Sequence, residues 1–149
     1  GDIGVIGKPP HSNGWRIAID ALGRNSDKNN PAFKNGFAIT LEDASITTSG
    51  DAFQAIEIGG TRYSHIVDPR TGLGVIGSTG VTVIAADATT ADAVATTLSV
   101  LGPDVGCQFV DQIERCAARF IWKEDGQVRV RTTSQWPSQT TDSLQNKTK

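Results

Sequence analysis

Ten consecutive residues hold the densest chemistry of this chain: Tyr63-Ser64-His65-Ile66-Val67-Asp68-Pro69-Arg70-Thr71-Gly72. They include one of its two histidines, a carboxylate, a guanidinium and two aliphatic hydroxyls. An imidazole moves protons near neutral pH, a guanidinium binds anions and a carboxylate binds cations. The stretch is also good turn chemistry. Asp68 stands first, Pro69 second and Gly72 closes the turn. Taken alone, it reads equally as a turn and as a site.

A second group lies downstream. Ala91 to Leu101 predicts a helix, with Thr89 as N-cap, Asp92 three residues on, and Gly102-Pro103 as the stop. Asp92 and Thr96 are four apart, so they are neighbours on one face, and Ser99 extends that stripe. Two residues of helix turn through about 200°, which sets this stripe opposite Val94 and Leu98. A carboxylate and a hydroxyl near a helix N-terminus suit a hard cation such as Mg2+, and that helix end favours phosphate. The ordinary alternative is an acid that offsets the helix dipole beside an exposed Thr. With the polar turn Ser49-Gly50-Asp51, the two groups form a set suited to phosphoryl transfer. That chemistry needs charge neutralisation, positioning and a base for the attacking hydroxyl.

The elements that must position these residues are mostly strands. Gly1 to Gly7, Trp15 to Ile19, Gly36 to Leu41 and Ala44 to Thr48 read as strands, and residues 20 to 35 as a polar loop. Ala52 to Ile58 and Arg62 to Val67 form a hairpin around Gly59-Gly60. Val81 to Ala86 is a further strand. Asp104 to Arg115 predicts a second helix, with Val105, Phe109, Val110 and Ile113 inward. Ala117 to Trp122 and Gln127 to Arg131 close as a hairpin. As many as eight strands contribute. The expected fold is α+β, mostly antiparallel sheet with two helices in the second half. Residues 1–131 form one domain, and 132–149 read as a disordered polar tail.

Gly72-Leu73-Gly74-Val75-Ile76-Gly77 matches the dinucleotide pattern G-x-G-x-x-G letter for letter. That fingerprint must follow a strand and open a helix. This one follows a turn and leads into a strand, so it reads as a connector.

Composition narrows the function classes. The chain has 149 residues, 38% apolar and 20% charged, which suits one domain with a real core. Its net charge of −2 provides no field for nucleic acid or anionic lipid. No apolar run reaches the ~18 residues of a membrane span. Cys107 and Cys116, nine positions apart with no His or further Cys nearby, read as two buried thiols rather than a metal site or a disulfide. The chain has no Met and begins inside what reads as a strand. The expectation is a fragment or processed product, with any signal or anchor upstream of Gly1.

The order of these elements resembles the ApbE family of FAD:protein FMN transferases, formerly called thiamine-biosynthesis lipoproteins. The resemblance rests on Thr48-Ser49-Gly50-Asp51, on Arg62 through Gly72, on Val81-Thr82-Val83, and on Ala91-Asp92-Ala93-Val94-Ala95-Thr96-Thr97-Leu98 with Leu101-Gly102. It runs from about Gly1 to Leu101. Gly1-Asp2 is similar to the end of the family's mid-protein Gly-Gly-Asp element, so the likeness is to the C-terminal half of a T-fold-like protein. It implies binding of FAD and Mg2+ and transfer of FMN to a Thr or Ser of an acceptor protein, with release of AMP. Some members instead hydrolyse FAD to FMN and AMP; the non-enzymatic alternative for this chain is a flavin-binding or purely structural domain that has kept the fold. By this resemblance Asp92 and Thr96 are metal ligands, and His65 is the candidate base or lies beside the reacting phosphates. Asp68, Arg70 and Thr71 shape the pyrophosphate site, and Ser49, Gly50 and Asp51 line the FAD pocket. It also implies a bacterial periplasmic or cell-envelope location and a membrane redox-complex subunit as acceptor. Ala52-Phe53-Gln54 and Leu73-Gly74 depart from the family pattern at those places.

Overall fold

Among the described residues, short apolar runs separated by Gly, Asp and Pro fold into ten strands and one broken helix. The computed structural model describes residues 1–19, 37–50, 54–77 and 79–137. The strands are β1 (Asp2–Val5), β2 (Trp15–Ile19), β3 (Phe37–Leu41), β4 (Ala44–Gly50), β5 (Ala55–Ile58), β6 (Thr61–Asp68), β7 (Leu73–Ile76) and β8 (Thr79–Ala85). Helix α1 (Ala88–Val110) follows, then β9 (Ala117–Glu124) and β10 (Gln127–Thr132).

A five-stranded antiparallel sheet in the order β1-β4-β8-β9-β10 carries the core. Its middle strand β8 is buried on both faces, as its unbroken run Val81 to Ala85 requires. Val81, Val83, Ala118 and Phe120 pack on one side against Ala91, Val94, Ala95 and Leu98 of α1. Ile46, Ile84 and Ile121 pack on the other against Ile17, Ile19, Ile39 and Leu41 of the β2–β3 pair. The third sheet, β5-β6-β7, meets α1 through β6.

The helix differs from its expectation in detail. Asp87, not Thr89, is the N-cap. Its carboxylate accepts the Thr90 N–H at 2.9 Å and the Thr90 hydroxyl at 2.7 Å, which satisfies an orphan donor of the first turn. Gly102 breaks the helix with φ 74°, ψ 175°, and Pro103 restarts it at once. A Gly takes that left-handed φ without a Cβ penalty, and Pro suits the first position of a helix. The two expected helices are thus two segments of one element. In the second segment Gly106 and Val110 face inward, while Val105 and Phe109 are exposed. A Cβ on Gly106 would stand 2.7 Å from Phe120 Cζ, so this glycine lets the segment lie directly on the core.

Three boundaries also move. Ser49 and Gly50 remain in β4 rather than forming a turn. Leu73 to Ile76 is a strand paired with β6, not a connector, and no helix follows it. The tail does not become unstructured at Thr132: this residue pairs with Arg119. Thr133 is buried, donates its N–H to Ala118 O at 2.9 Å and accepts the Ala118 N–H on its hydroxyl at 2.9 Å. Trp136 packs on the second core cluster. The expected loop at residues 20–35 and the tail from 138 onward lie outside the described residues. Cys116 is buried and Cys107 partly so, both are free thiols, and burial raises the pKa of each.

Candidate functional site

The end of β4, the start of β1, β6 and the first turns of α1 converge on one cleft of about 650 Å³. Gly1 and Asp2 come from the start of the chain, and Thr48, Ser49 and Gly50 from β4. Gln54 precedes β5, His65, Ile66 and Val67 come from β6, and Asp92 and Thr96 from α1. The cleft therefore unites His65, Ser49, Gly50, Asp92 and Thr96. Asp51 lies outside the described residues.

His65 is oriented by its neighbour strand. Its backbone N–H donates to Gln54 O at 3.1 Å, and its ring Nδ1 lies 3.0 Å from the same oxygen. A carbonyl oxygen only accepts, so Nδ1 must carry the proton. The neutral ring then has Nε2 as its one acceptor, the form a general base needs.

Asp92 and Thr96 are exposed on the same face of α1, as their four-residue spacing requires. Neither side chain has a hydrogen-bond partner among the described residues. Ser99 continues their stripe but is buried, and its hydroxyl donates to Ala95 O at 2.9 Å. It lies where Ser64, Ile66 and Val75 of the third sheet cover the helix. The stripe is thus open at its first two members and closed at the third. Gly50 lines the cleft where a Cβ would stand 2.9 Å from Thr79 O.

Asp68, Arg70 and Thr71 do not line the cleft; they brace the turn that joins β6 to β7. Arg70 forks onto both oxygens of Asp68, Nε to Oδ1 at 2.9 Å and Nη2 to Oδ2 at 2.7 Å. The Arg70 N–H adds a third bond to Oδ1 at 2.9 Å. The carbonyl of Asp68 accepts from Thr71 N at 3.2 Å and Gly72 N at 2.8 Å. Hydrogen bonding by Arg70 holds the Asp68 carboxyl below the usual carboxylate range. The turn reading of this stretch is thus realised from Asp68 to Gly72, and of its four candidate residues His65 is the one that lines the cleft.

Sequence reasoning gave no site role to Asp2, Thr48 or Gln54, all three of which line the cleft. Asp2 pairs with Thr47 across strands, a relationship that a sequence does not display. Gln54 acts through its carbonyl, so its residue type carries no signal.

Among the described residues, the lining holds two carboxylates, Asp2 and Asp92, and no Lys or Arg side chain. A phosphate substrate placed there would meet like charge unless a cation accompanied it. Among the described residues, no cluster of three His, Cys, Asp or Glu side chains converges as a metal site. Mg2+ does not require one. It takes oxygen donors, is held by one or two carboxylates, and keeps waters and substrate phosphates as its other ligands. The unpartnered Asp92 and Thr96 oxygens fit that donor set.

Residues 1–120 match the ApbE family model. The FAD:protein FMN transferase of Escherichia coli (strain K12) is 34% identical over 125 residues, covering 83% of this chain and 34% of that protein. Its counterpart from Treponema pallidum (strain Nichols) is 32% identical over 111 residues, covering 74% and 29%. Among solved structures, the apo form of the Pseudomonas stutzeri flavinyl transferase ApbE superposes with a TM-score of 0.70 at 30% identity, covering 90% of this chain and 39% of that one. The Vibrio cholerae flavin transferase ApbE gives 0.69 at 31%, covering 90% and 40%. The antiparallel α+β scaffold is thus that of solved flavin transferases. The chain belongs to the ApbE family. It spans about one third of the length of the curated relatives it matches.

Proposed function

We propose that this chain carries the phosphoryl-transfer face of an FAD:protein FMN transferase. One observation carries the reading: an imidazole held in its Nδ1–H form shares a cleft with two unpartnered oxygen donors on one helical turn. The diphosphate of FAD lies in that cleft. His65 Nε2 accepts the proton of an acceptor Thr or Ser hydroxyl as its oxygen bonds to the FMN phosphorus. The bond from that phosphorus to the bridging oxygen breaks, and AMP leaves with the bridging oxygen. The sum is FAD plus protein hydroxyl giving FMN-protein, AMP and one proton.

Asp92 and Thr96 would hold Mg2+, which offsets phosphate charge when bound. Ser49 and Gly50 form the wall of the cleft, and Gly50 keeps that wall close against β8, where a Cβ would meet Thr79 O. The acceptor is a redox-complex subunit at the cell envelope, the location that the family likeness favours.

The experiment uses a full-length protein containing this chain, with FAD, Mg2+ and an acceptor domain. In-gel flavin fluorescence and nucleotide chromatography are read together. Transfer gives a fluorescent acceptor and one AMP per label. Free FMN and AMP without a labelled acceptor identify an FAD pyrophosphatase instead. FAD recovered intact from a stable complex identifies a flavin-binding domain.

A further inference from the structure

His65 does not sit in a regular ladder. On one side β6 pairs evenly with β5, Tyr63 opposite Ile56 and Ser64 opposite Ala55. On the other, Tyr63 stands opposite Ile76 and Val67 opposite Gly74. Three residues of β6, Ser64, His65 and Ile66, therefore face one residue of β7, Val75. This is a bulge with His65 at its centre. Bulges bend a strand and re-aim a side chain.

Two residues maintain it. The Ile66 N–H donates to the Ser64 hydroxyl at 3.1 Å in a buried setting. That bond satisfies a donor whose neighbourhood has lost regular pairing with β7. Gly74 provides the space. A Cβ there would overlap the Ser64 carbonyl oxygen and would stand 3.2 Å from Tyr63 Cβ. Only a residue without a side chain lets β7 lie this close to the bulge.

We infer that Ser64 and Gly74 are positioning residues: they hold the bulge that keeps His65 in one tautomer against Gln54 O, with its free nitrogen available to the cleft. Neither touches the reacting atoms. This rests on the reading of His65 as the base, and one experiment separates the two.

The full-length protein is compared with its Ser64→Ala, Ser64→Thr and Gly74→Ala variants. Two quantities are read: FMN transfer kinetics, and the imidazole ¹⁵N shifts of His65, assigned with His65→Gln. Ser64→Ala and Gly74→Ala convert a single Nδ1–H tautomer into a mixture. Their kcat falls roughly 10- to 100-fold, as expected for a misplaced group, and KM for FAD stays within about twofold. Ser64→Thr keeps the hydroxyl and restores both. If Gly74→Ala does not fold, the Ser64 pair decides alone. An unchanged tautomer and unchanged kcat in Ser64→Ala overturn the inference. A changed tautomer with unchanged kcat upholds the bulge's hold on His65 and overturns His65 as the base.

Discussion

His65 Nδ1 and the carbonyl oxygen of Gln54 lie 3.0 Å apart, and the His65 backbone N–H reaches the same oxygen at 3.1 Å. One acceptor thus fixes both the strand and the ring. Because it is a backbone carbonyl, no substitution at position 54 short of a backbone change removes it. Loss of the ring is the direct perturbation. His65→Ala in the full-length protein lowers kcat for FMN transfer by about 10²- to 10⁴-fold, the usual contribution of a general base. KM for FAD changes little. Steady-state labelling of an acceptor checks this, and a wild-type rate removes His65 from the reaction.

The Asp68–Arg70 fork makes the turn after β6 acid-sensitive. The carboxyl of Asp68 is held low first by the side-chain bond to Arg70, then by the Arg70 N–H. A folded pKa below the unfolded value gives stability that is present above the unfolded pKa, near 4. It is lost as pH falls through the lower folded value. The protection factors of the Thr71 and Gly72 amides should therefore be full at about pH 5 and fall as the pH drops through the lowered folded value of Asp68. In Arg70→Ala the Asp68 carboxyl titrates at a higher pH than in the wild type. Side-chain carbon NMR over an acid titration reads this. Identical titration in both proteins would mean that the fork does not exist in solution.

The order of residues alone makes part of this legible. The run Val81 to Ala85 could only be a buried strand, and Asp92 with Thr96 could only share a helical face. The spacing of Ser99 also puts it on that face, but not under the third sheet, because burial depends on what lies across the gap. Val105 and Phe109 illustrate the converse. Their helical period is readable, yet Gly106 rather than a large residue faces the core, since Phe120 already fills the space. Tertiary fit overrides hydrophobicity there. The bulge at His65 is hidden for a similar reason, because it exists only in the pairing of β6 with β7.

That fit makes Gly106 a sensitive position. In an open helix Gly→Ala stabilises by about 1 kcal/mol. Here the new methyl would meet Phe120 and Leu98, both fully buried. Overpacking of this kind costs about 1–3 kcal/mol. Gly106→Ala should thus lower the midpoint of denaturant unfolding with an unchanged slope. A gain in stability would show that the segment shifts freely on the sheet.

Thr133 tests how far the folded domain extends past β10. Its hydroxyl accepts the Ala118 N–H deep in the structure. Thr133→Val keeps the volume and removes the acceptor, leaving a buried donor unpaired at about 1–3 kcal/mol. Chemical denaturation of the variant against the wild type measures it. A chain cut after residue 131 should lose at least as much, and equal stability of the cut chain would make 132–137 a dispensable tail.

The proposed function depends most on Asp92 as the side chain through which the cleft takes its cation. The measurement is acceptor labelling by the full-length protein, wild type against Asp92→Ala, across a Mg2+ titration with FAD in excess. The wild type should give a fluorescent FMN-acceptor band whose rate saturates with Mg2+. Asp92→Ala should need at least about 10- to 100-fold more Mg2+, or give no band, since even residues behind a metal ligand cost that much. Equal labelling of wild type and Asp92→Ala at every Mg2+ concentration would contradict the assignment of this cleft.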